Sequence, residues 1–313
     1  MSFTDLLTIS MPCYERKDFF LDALESALNQ TVKCKVIVID NCSSHNYFEE
    51  ICKEKNVHYY RNDTNIGMIA NFAKGYELSE TKYTMNLQDD DQLSPYYVEA
   101  FLHALELHPG IDVFFSDFVM LTSQGEKPHG HTLPFGYMES GKKIIEYGIK
   151  YKLGFPYMAS VINKTKAYRY VDVEDCIGSY DWEWIYSVAD KLSFYGDNRK
   201  LYKYRVHENQ DTKVNSLIYR LSLPYIYDVI LKENVSDSKF KKKALRNAFW
   251  ELVQLKSFAR SKDLEMLLSD KNKYNKYLKV KLSSNFHLRM IFLMPQWFVH
   301  LMYKILKKTD FSV

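Results

Sequence analysis

The sequence predicts an α/β protein with a mixed, mostly parallel sheet flanked by helices and a helical C-terminal extension. Strand and helix patterns alternate from Leu6 to Leu121, which indicates parallel strands joined by crossover helices. Several strand patterns are apolar throughout, as in strands that are buried on both faces. From about Ser216 the pattern becomes helical. We therefore expect a sheet-bearing domain over residues 1–215 and a basic, helical region over residues 216–313.

Three apolar runs predict the first strands of the sheet. The run "LLTISMPCY" indicates a strand that ends near Pro12, and a helical pattern follows from Phe19 to Leu28. The run "KVIVID" indicates a buried strand that ends at Asp40. The run "VHYYRN" indicates a third strand, which leads into an Asn-Ile-Gly turn.

The following elements continue the alternation. A helical pattern through Ile69 and Tyr76 leads to the strand "KYTMNL", and a second helix spans roughly Pro95 to Leu107. The strand "DVFFSDFVML" comes next, and Gly125 to Gly141 is predicted to be a loop over a site. Three C-terminal helical patterns are separated by lysine-rich connections: "YRLSLPYIYDVILKE", "KKKALRNAFWELVQLKSFAR" and "LRMIFLMPQWFVHLMYKILKK".

Composition is that of an ordinary globular protein in a reducing compartment. The five cysteines include no C-x-x-C pair of the kind that holds zinc or exchanges disulfides. The first residues lack the basic start and apolar stretch of a signal peptide, and no run of about 18 apolar residues is uninterrupted. We therefore expect a cytoplasmic protein that does not span a membrane. A Rossmann dehydrogenase is disfavoured because no G-x-G-x-x-G follows the first strand.

Charge divides the chain into two parts. Residues 239–313 contain 17 Lys and Arg against 5 Asp and Glu, and the preceding residues carry a net charge of about −9. The last helical pattern pairs bulky apolar residues with flanking lysines, which predicts peripheral contact with anionic lipid at the inner face of a membrane. The same apolar face could instead pack on the rest of the protein or on a second subunit. Nucleic acid is disfavoured as a partner because the acidic remainder would repel phosphates.

The strongest chemical signal is "LQDDDQLSP", in which Asp89, Asp90 and Asp91 follow an apolar strand. Adjacent carboxylates repel one another, so a positive group is needed, and a divalent cation with oxygen ligands is the natural candidate. Open α/β sheets bind their ligands at the carboxyl ends of parallel strands. The alternative is an acidic turn that caps the next helix, but the position at a strand end favours a metal site.

Polar residues at two other strand ends indicate a nucleotide site. Asp40 ends a buried strand, where a carboxylate can accept hydrogen bonds from a base or ribose, although it could equally cap a loop. Asn65, Gly67 and Asn71 lie at a strand-to-helix turn. Glycine lets the backbone approach a ligand there, and the asparagines supply neutral donors. A plain turn and helix cap would give a similar pattern.

Two later segments supply candidates for proton transfer and further ligands. In "YDWEW", Asp181 is surrounded by aromatic residues, and a partly buried carboxyl group suits a general base. The alternative is an amphipathic helix whose acids face water. In "YKYRVHENQ", His207 could complete a metal shell and Arg205 could contact a phosphate. A lone histidine at a strand end is nevertheless more often a surface residue.

Taken in order, these segments resemble the family 2 glycosyltransferases, inverting enzymes with the Rossmann-like GT-A fold of nucleotide-diphospho-sugar transferases. "ISMPCYER" is similar to the family's opening strand with Pro-x-Tyr-Asn, "VIVIDNCSSH" to its Asp-x-x-Ser segment, and "NIGMIANFAKG" to its Asn-x-Gly turn. "QDDDQLSP" resembles its Asp-x-Asp element, and "YDWEW" and "YRVHENQ" resemble its late base-bearing and histidine segments. The resemblance covers roughly residues 5–212 and depends on order and spacing.

The resemblance implies a role for each matching residue. The donor, a nucleotide-diphosphate sugar and in the first instance a UDP-sugar, would contact residues of five segments: Pro12, Tyr14, Asp40, Asn65, Gly67, Asn71, Asp89, Asp90 and Arg205. Mn²⁺ or Mg²⁺ would be held by Asp90, Asp91 and His207, and Asp181 would deprotonate the acceptor hydroxyl. The acceptor would be a saccharide or lipid-linked saccharide in the synthesis of a bacterial surface polysaccharide or glycolipid.

Three departures from the family pattern and one competing function qualify this expectation. The family's usual acidic pair before the base helix is here Tyr180-Asp181, so only Asp181 is a clear match. Glu15 replaces the family's asparagine after the tyrosine, and Gln88 takes the first acidic place of Asp-x-Asp, which favours Asp90 and Asp91 as the metal pair. The competing function is that of a non-catalytic protein that binds nucleotide, nucleic acid or membrane. Such a protein would need no base at Asp181.

Overall fold

The computed structural model describes residues 5–129, 133–151, 160–167, 179–210, 216–269 and 273–309. The chain divides into two compact units. The first lies within residues 1–147, 154–173 and 188–208, and the second lies within residues 148–153, 174–187 and 209–313.

The first unit is built on one sheet. Its strands are β1 Leu7–Cys13, β2 Lys35–Asp40, β3 His58–Arg61, β4 Tyr83–Asn86, β5 Gln92–Leu93, β6 Val113–Thr122, β7 Gly125–Pro128, β8 Gly136–Met138, β9 Ser160–Asn163 and β10 Phe194–Arg205.

The strands of this sheet lie in the order β3-β2-β1-β4-β9-β6-β10-β5. Strands β1 to β4 run side by side in parallel, β9 lies antiparallel between β4 and β6, and β10 is parallel to β6. Strands β1 to β4, β6 and β10 therefore point the same way, and the sheet is mostly parallel, as predicted.

Helices pack on this sheet through apolar faces. In α1, the spacing of Phe20, Ala23, Leu24 and Ala27 places all four on one buried face. This face joins a core formed with apolar residues of β1, β4 and α4. The helices that begin in the first unit are α1 Phe20–Leu28, α2 Tyr47–Glu54, α3 Met68–Leu78, α4 Tyr97–Leu107, α5 Lys142–Tyr151 and α6 Lys164–Ala167.

The prediction of a loop from Gly125 to Gly141 is wrong in part. It contains two short strands, β7 and β8, which pair antiparallel with β6 and β10. Runs of three or four residues carry little periodicity of their own, and pairing with a longer strand is what makes them strands. The antiparallel β9 was not predicted either.

The second unit is helical, as predicted for the C-terminal region. Its elements are α7 Tyr180–Val188, α8 Ser216–Tyr225, a π-helical segment Ile226–Leu231, α9 Ser238–Phe258, α10 Ser261–Ser269, α11 Lys273–Ser284, α12 Phe286–Leu293 and α13 Gln296–Thr309. The last helical pattern of the sequence is two helices, because Pro295 has no N–H to donate and restricts the residue before it.

A separate core holds the second unit together, with buried residues such as Leu252, Leu255, Tyr274, Leu278 and Val299. Glu183 of α7 is tied to α11, since it accepts a hydrogen bond from Tyr274 Oη at 2.6 Å and forms an ion pair with Lys273. The packing thus groups α7 up to residue 187 with the C-terminal helices, whereas the division at residue 215 remains a prediction. In the part of the chain that the structure describes, no helix is both long and apolar enough to cross a membrane.

Candidate active site

The site of the first unit is built at the carboxyl ends of its parallel strands. Strand β1 ends at Cys13 opposite Asp40, and the exposed Tyr14 follows. The next residue, Glu15, has a φ of 57°, which is the left-handed region that asparagine tolerates better than glutamate. Ser44 donates to the Glu15 carboxylate from its N–H at 2.7 Å and from its hydroxyl at 2.8 Å. This turn positions the following residue, Arg16.

The Arg16 guanidinium lies among the carboxylates that follow β4. It forms an ion pair with Asp89, and its Nη1 lies 3.0 Å from Asp90 Oδ2. The same Nη1 lies 3.3 Å from His207 Nε2, which is itself 3.0 Å from Asp90 Oδ2. In this structure a residue of the protein, Arg16, therefore supplies positive charge to Asp89 and Asp90.

Asp91 has a different environment from its neighbours. Its side chain is buried, and both carboxylate oxygens accept hydrogen bonds from β10, at 2.5 Å from Tyr202 Oη and at 2.7 Å from the Arg205 N–H. Burial is the main cause that raises the pKa of Asp91, and the charge of Asp90 adds to it. Asp91 thus joins the loop after β4 to β10.

Asp89 is also buried, and burial raises the pKa of its carboxyl group to about 7 while the Arg16 guanidinium opposes that shift.

Residues at the end of β10 lie beside the aspartates. Arg205 Nε donates to the Asp90 carbonyl oxygen at 2.7 Å, and its guanidinium lies over the Phe19 ring at 4.4 Å. The His207 ring packs on the same phenylalanine, with ring centroids 5.1 Å apart.

Asp40 lies where the sequence predicts, at the end of β2, but its side chain is fully buried. Oδ1 accepts from the Ser43 N–H at 2.9 Å and from the Ser43 hydroxyl at 2.6 Å, and Oδ2 accepts from Tyr59 Oη at 2.7 Å. Asp40 therefore shapes the loop after β2 with both of its oxygens.

A network of asparagines holds the turn between β3 and α3. Asn41 Nδ2 donates to Asn65 Oδ1 at 2.8 Å, and Asn65 Oδ1 also accepts from the Gly67 N–H. Asn62 Nδ2 donates to Asn71 Oδ1 at 2.8 Å, and Asn71 Nδ2 donates to the Ile39 carbonyl at 3.1 Å. Gly67 has a φ of 87°, which favours glycine at this turn. The predicted Asn65, Gly67 and Asn71 are thus brought together beside the end of β2.

The donor atoms beside Arg16 fit a divalent cation in part. Asp90 Oδ2 and His207 Nε2 already lie 3.0 Å apart and offer the oxygen and imidazole ligands that Mn²⁺ accepts. Asp91 accepts one hydrogen bond on each oxygen, from Tyr202 and from Arg205, and its assignment to the metal pair stays a prediction. Among the described residues, no three His, Cys, Asp or Glu side chains form a metal-binding group.

Comparison with known proteins identifies the family. The model of glycosyl transferase family 2 matches residues 8–167, which is half of the chain. The chain belongs to glycosyltransferase family 2. An uncharacterized glycosyltransferase of Methanocaldococcus jannaschii is 27% identical over 227 residues, which are 68% of this chain and 74% of that protein. WcaA of Escherichia coli, named for colanic acid biosynthesis, is 27% identical over 127 residues, which are 39% of this chain and 44% of that protein.

Solved structures agree with this assignment at the level of the fold. Residues 1–349 of TarS from S. aureus superpose with a TM-score of 0.64 and 12% sequence identity, over 96% of this chain and 91% of that one. The complex of the same protein with UDP-GlcNAc gives a TM-score of 0.62. The glycosyltransferase therefore has the GT-A fold that the order of its sequence motifs implied.

The base predicted for this glycosyltransferase, Asp181, belongs to the second unit. It lies in the first turn of α7, where burial raises the pKa of its carboxyl group to about 7 against the lowering effect of nearby backbone N–H groups. The pKa of the Tyr186 hydroxyl is raised mainly by burial, and the negative charge of Asp181 raises it further. A carboxyl group with a pKa near neutrality can both accept and release a proton at physiological pH.

Sequence reasoning missed several residues that build the site of the glycosyltransferase. Arg16 carried a signal, because a triplet of carboxylates needs a cation and "PCYER" places one directly after β1. Tyr202 and Asn62 carried none, since each acts on a residue that is distant in sequence. Asn41 follows Asp40 directly, and the sequence does not distinguish it from an ordinary loop asparagine.

Proposed function

We propose that this glycosyltransferase is an inverting enzyme that moves a sugar from a UDP-sugar onto an acceptor hydroxyl. The proposal is carried by the convergence of Arg16, Asp89, Asp90 and His207 at the carboxyl ends of β1, β4 and β10, because an anionic diphosphate binds where cations and a metal ligand pair meet. The UDP-GlcNAc and UDP complexes of TarS support a uridine nucleotide as the donor's carrier.

The nucleotide would lie along the ends of β1 to β3. Pro12 and the exposed Tyr14 border one side of this region, and the turn of Asn65 and Gly67 borders the other. Asp40 is proposed to fix the loop that receives the base or ribose, because its own oxygens already accept three hydrogen bonds within the fold. Asn71 supports the same region through the Ile39 carbonyl.

The diphosphate would lie against Asp90, His207 and two arginines. Asp90 and His207 would hold Mn²⁺ or Mg²⁺, which supplies charge neutralisation to the leaving diphosphate when bound. Arg16 and Arg205 present guanidinium groups at the same strand ends, and guanidinium groups bind phosphate oxygens in a bidentate manner. Asp91 is proposed to keep Arg205 and the loop after β4 in place.

Asp181 is proposed to take the proton from the acceptor hydroxyl. As the hydroxyl oxygen forms its bond to the anomeric carbon, the bond from that carbon to the diphosphate oxygen breaks, and the diphosphate leaves with the electron pair. Attack from the face opposite the leaving group inverts the configuration at the anomeric carbon. The raised pKa of Asp181, about 7, suits a group that must be ionised before the reaction and protonated after it.

The acceptor is proposed to be a saccharide or lipid-linked saccharide in the synthesis of a bacterial surface polysaccharide or glycolipid. The name of WcaA, which refers to colanic acid biosynthesis, supports polysaccharide synthesis. The basic C-terminal residues support a cytoplasmic enzyme bound peripherally at the inner face of the membrane.

Nucleotide release tests the proposal. Purified protein is incubated with UDP-sugars and GDP-sugars, with and without Mn²⁺, and the freed nucleotide is measured in the presence of saccharide acceptors. We expect release from one UDP-sugar, loss of that release in Asp90→Ala, and wild-type release in Glu106→Ala, which alters an exposed acid of α4. The anomeric configuration of the product, read by NMR coupling constants, distinguishes inversion from retention. Release from no donor sugar would contradict the proposal.

A further inference from the structure

The two last helices of the second unit are apolar on two faces. In α13, Val299 and Tyr303 are buried in the core of the unit, while Trp297, Leu301 and Ile305 are exposed. The three exposed residues are spaced by four and therefore lie along one side of the helix. A soluble helix that packs on one partner needs an apolar stripe on one face only, so the second stripe of α13 requires a second apolar neighbour.

The preceding helix extends this exposed surface. Phe286 and Leu293 of α12 are spaced by seven and are 70% and 73% exposed, and Trp297 of α13 is 69% exposed. Single exposed apolar residues are common on soluble proteins, whereas a contiguous group marks an interaction site. We call Phe286, Leu293, Trp297, Leu301 and Ile305 the C-terminal apolar face.

This face is held in place by the rest of the unit. Asn285 caps α12, since its side chain accepts a hydrogen bond from the Leu288 N–H at 3.1 Å. Gln296, at the start of α13, donates to the Phe258 carbonyl at 2.9 Å and so joins α13 to the end of α9. The apolar side chains are thus presented by ordered helices.

The charge of residues 271–309 indicates which kind of partner the C-terminal apolar face would bind. From Lys271 to Thr309 the chain contains nine Lys and Arg and no Asp or Glu. Lys273 and Lys281 pair with Glu183 and Asp228 inside the unit. The exposed basic side chains of this segment include Lys276, Lys279, Arg289 and Lys304. Two copies of such a surface would repel one another, whereas an anionic surface would neutralise it.

We propose that α12 and α13 form a docking surface for an anionic lipid bilayer. The C-terminal apolar face enters the boundary between headgroups and acyl chains, and the lysines and Arg289 contact the anionic headgroups. Trp297 is suited to this boundary because its ring is apolar and its N–H is polar. The inference does not depend on the proposed transfer reaction, and soluble donor binding serves as its independent check.

Vesicle flotation tests the proposal on the full chain. We expect binding to phosphatidylcholine vesicles that contain about one third phosphatidylglycerol, with much weaker binding to pure phosphatidylcholine or at high salt. The variant Leu293→Ser with Trp297→Ser should lose about tenfold or more of the partition coefficient. The matched control is Tyr96→Ser with Leu107→Ser, two residues of the first unit that are each 54% exposed, and it should bind vesicles like the wild type. All variants should keep the wild-type melting temperature because only exposed side chains change.

Tryptophan fluorescence gives a second measurement. Binding should shift the emission to shorter wavelength and make it sensitive to quenching by brominated acyl chains, and Trp297→Phe should remove most of this change while keeping flotation. Equal flotation of the Leu293→Ser, Trp297→Ser variant and the wild type would overturn the proposal. Absence of vesicle binding, combined with self-association that the same variant abolishes in sedimentation velocity, would also overturn it and assign the face to a second copy.

Discussion

The three adjacent aspartates after β4 have three different environments. Asp89 is buried against Arg16, Asp90 contacts both Arg16 and His207, and Asp91 accepts hydrogen bonds from Tyr202 and Arg205. Three identical side chains thus have different partners. The sequence favoured a divalent cation as the compensating charge, and in the structure the Arg16 guanidinium pairs with Asp89 and Asp90.

Arg16 should compete with a divalent cation for Asp90 and His207. We expect Arg16→Ala to bind Mn²⁺ alone about tenfold more tightly than the wild type, because two carboxylates lose their guanidinium partner. Calorimetry in the absence of nucleotide measures this affinity. Lys17→Ala removes an exposed cation one residue later and should leave the affinity unchanged. An Mn²⁺ affinity in Arg16→Ala equal to that of the wild type would show that the guanidinium does not compete.

Asp181 should make both stability and catalysis depend on pH. Burial raises its pKa from 3.8 to about 7, so the folded protein retains a proton that the unfolded chain has lost between these values. Stability should therefore fall as the pH rises from about 4 to about 7. Asp181→Asn cannot ionise and should exceed the wild-type free energy of unfolding at about pH 8, by on the order of 4 kcal/mol at most, and match it near pH 4.

The transfer rate should depend on pH in the opposite direction to the stability. The transfer rate of the wild type should rise through pH 7 as the ionised fraction of Asp181 grows, while Asp181→Asn should be inactive and keep donor affinity. Urea unfolding and initial rates across this pH range measure the two effects on the same preparations. A variant that retains the wild-type rate would exclude Asp181 as the base, even if the stability difference is found.

At the scale of elements, the contact of α3 with β1 depends on one glycine. A Cβ added at Gly75 would lie 2.0 Å from Ser10 Oγ and 2.9 Å from Ser10 Cβ. The helix therefore approaches the strand as closely as it does only because Gly75 has no side chain. The contact holds the C-terminal half of α3 against β1, while the asparagine network holds its first turn and the turn of Asn65 and Gly67.

Gly75→Ala should destabilise the protein by about 1–3 kcal/mol although alanine is the better helix former, because overpacking outweighs helix propensity. Ser10→Ala should be nearly neutral by itself, since Ser10 Oγ is buried without a hydrogen-bond partner. The double variant should recover part of the loss, because the nearest clashing atom is gone. Urea unfolding of the four proteins measures this coupling, and additive effects would contradict the close contact.

At the scale of the whole molecule, the segment that carries the proposed base is grouped with the C-terminal helices. Residues 179–187 belong to the second compact unit, and the division at residue 215 stays a prediction. Ser222 donates to Ser179 at 2.9 Å, and Glu183 is bonded to Lys273 and Tyr274. The proposed base therefore lies in a segment that the basic region supports.

A chain truncated after residue 215 should lose transferase activity and most of its soluble yield. Truncation removes the partners of Glu183 and exposes the apolar side of α7, which carries the buried Trp184 and Ile185. Soluble yield and nucleotide release measure the effect against the full chain. Turnover by the truncated chain at the full-length rate would support the division at 215 that the sequence predicts.

Local sequence patterns were sufficient to predict the fold class, the main strands along the chain and the polar residues at their ends. Apolar runs and helical periodicity are local patterns, and each reports how one segment is buried. The ends of "LLTISMPCY", "KVIVID" and "KYTMNL" therefore predicted that Tyr14, Asp40 and the aspartates lie at or just after the ends of strands, as they do in the structure. The resemblance in motif order then predicted the family that the comparison with known proteins confirmed.

The contacts of these residues are set by the folded chain. Asp91 is engaged by Tyr202, Asp89 by Arg16, and Asp40 by Tyr59, and each pair is separated by 19 to 111 residues along the chain. The short strands β7 and β8 likewise exist through pairing with β6 and β10. Charge compensation, hydrogen bonding and strand pairing act between atoms that folding brings together, so no local pattern in the sequence records them.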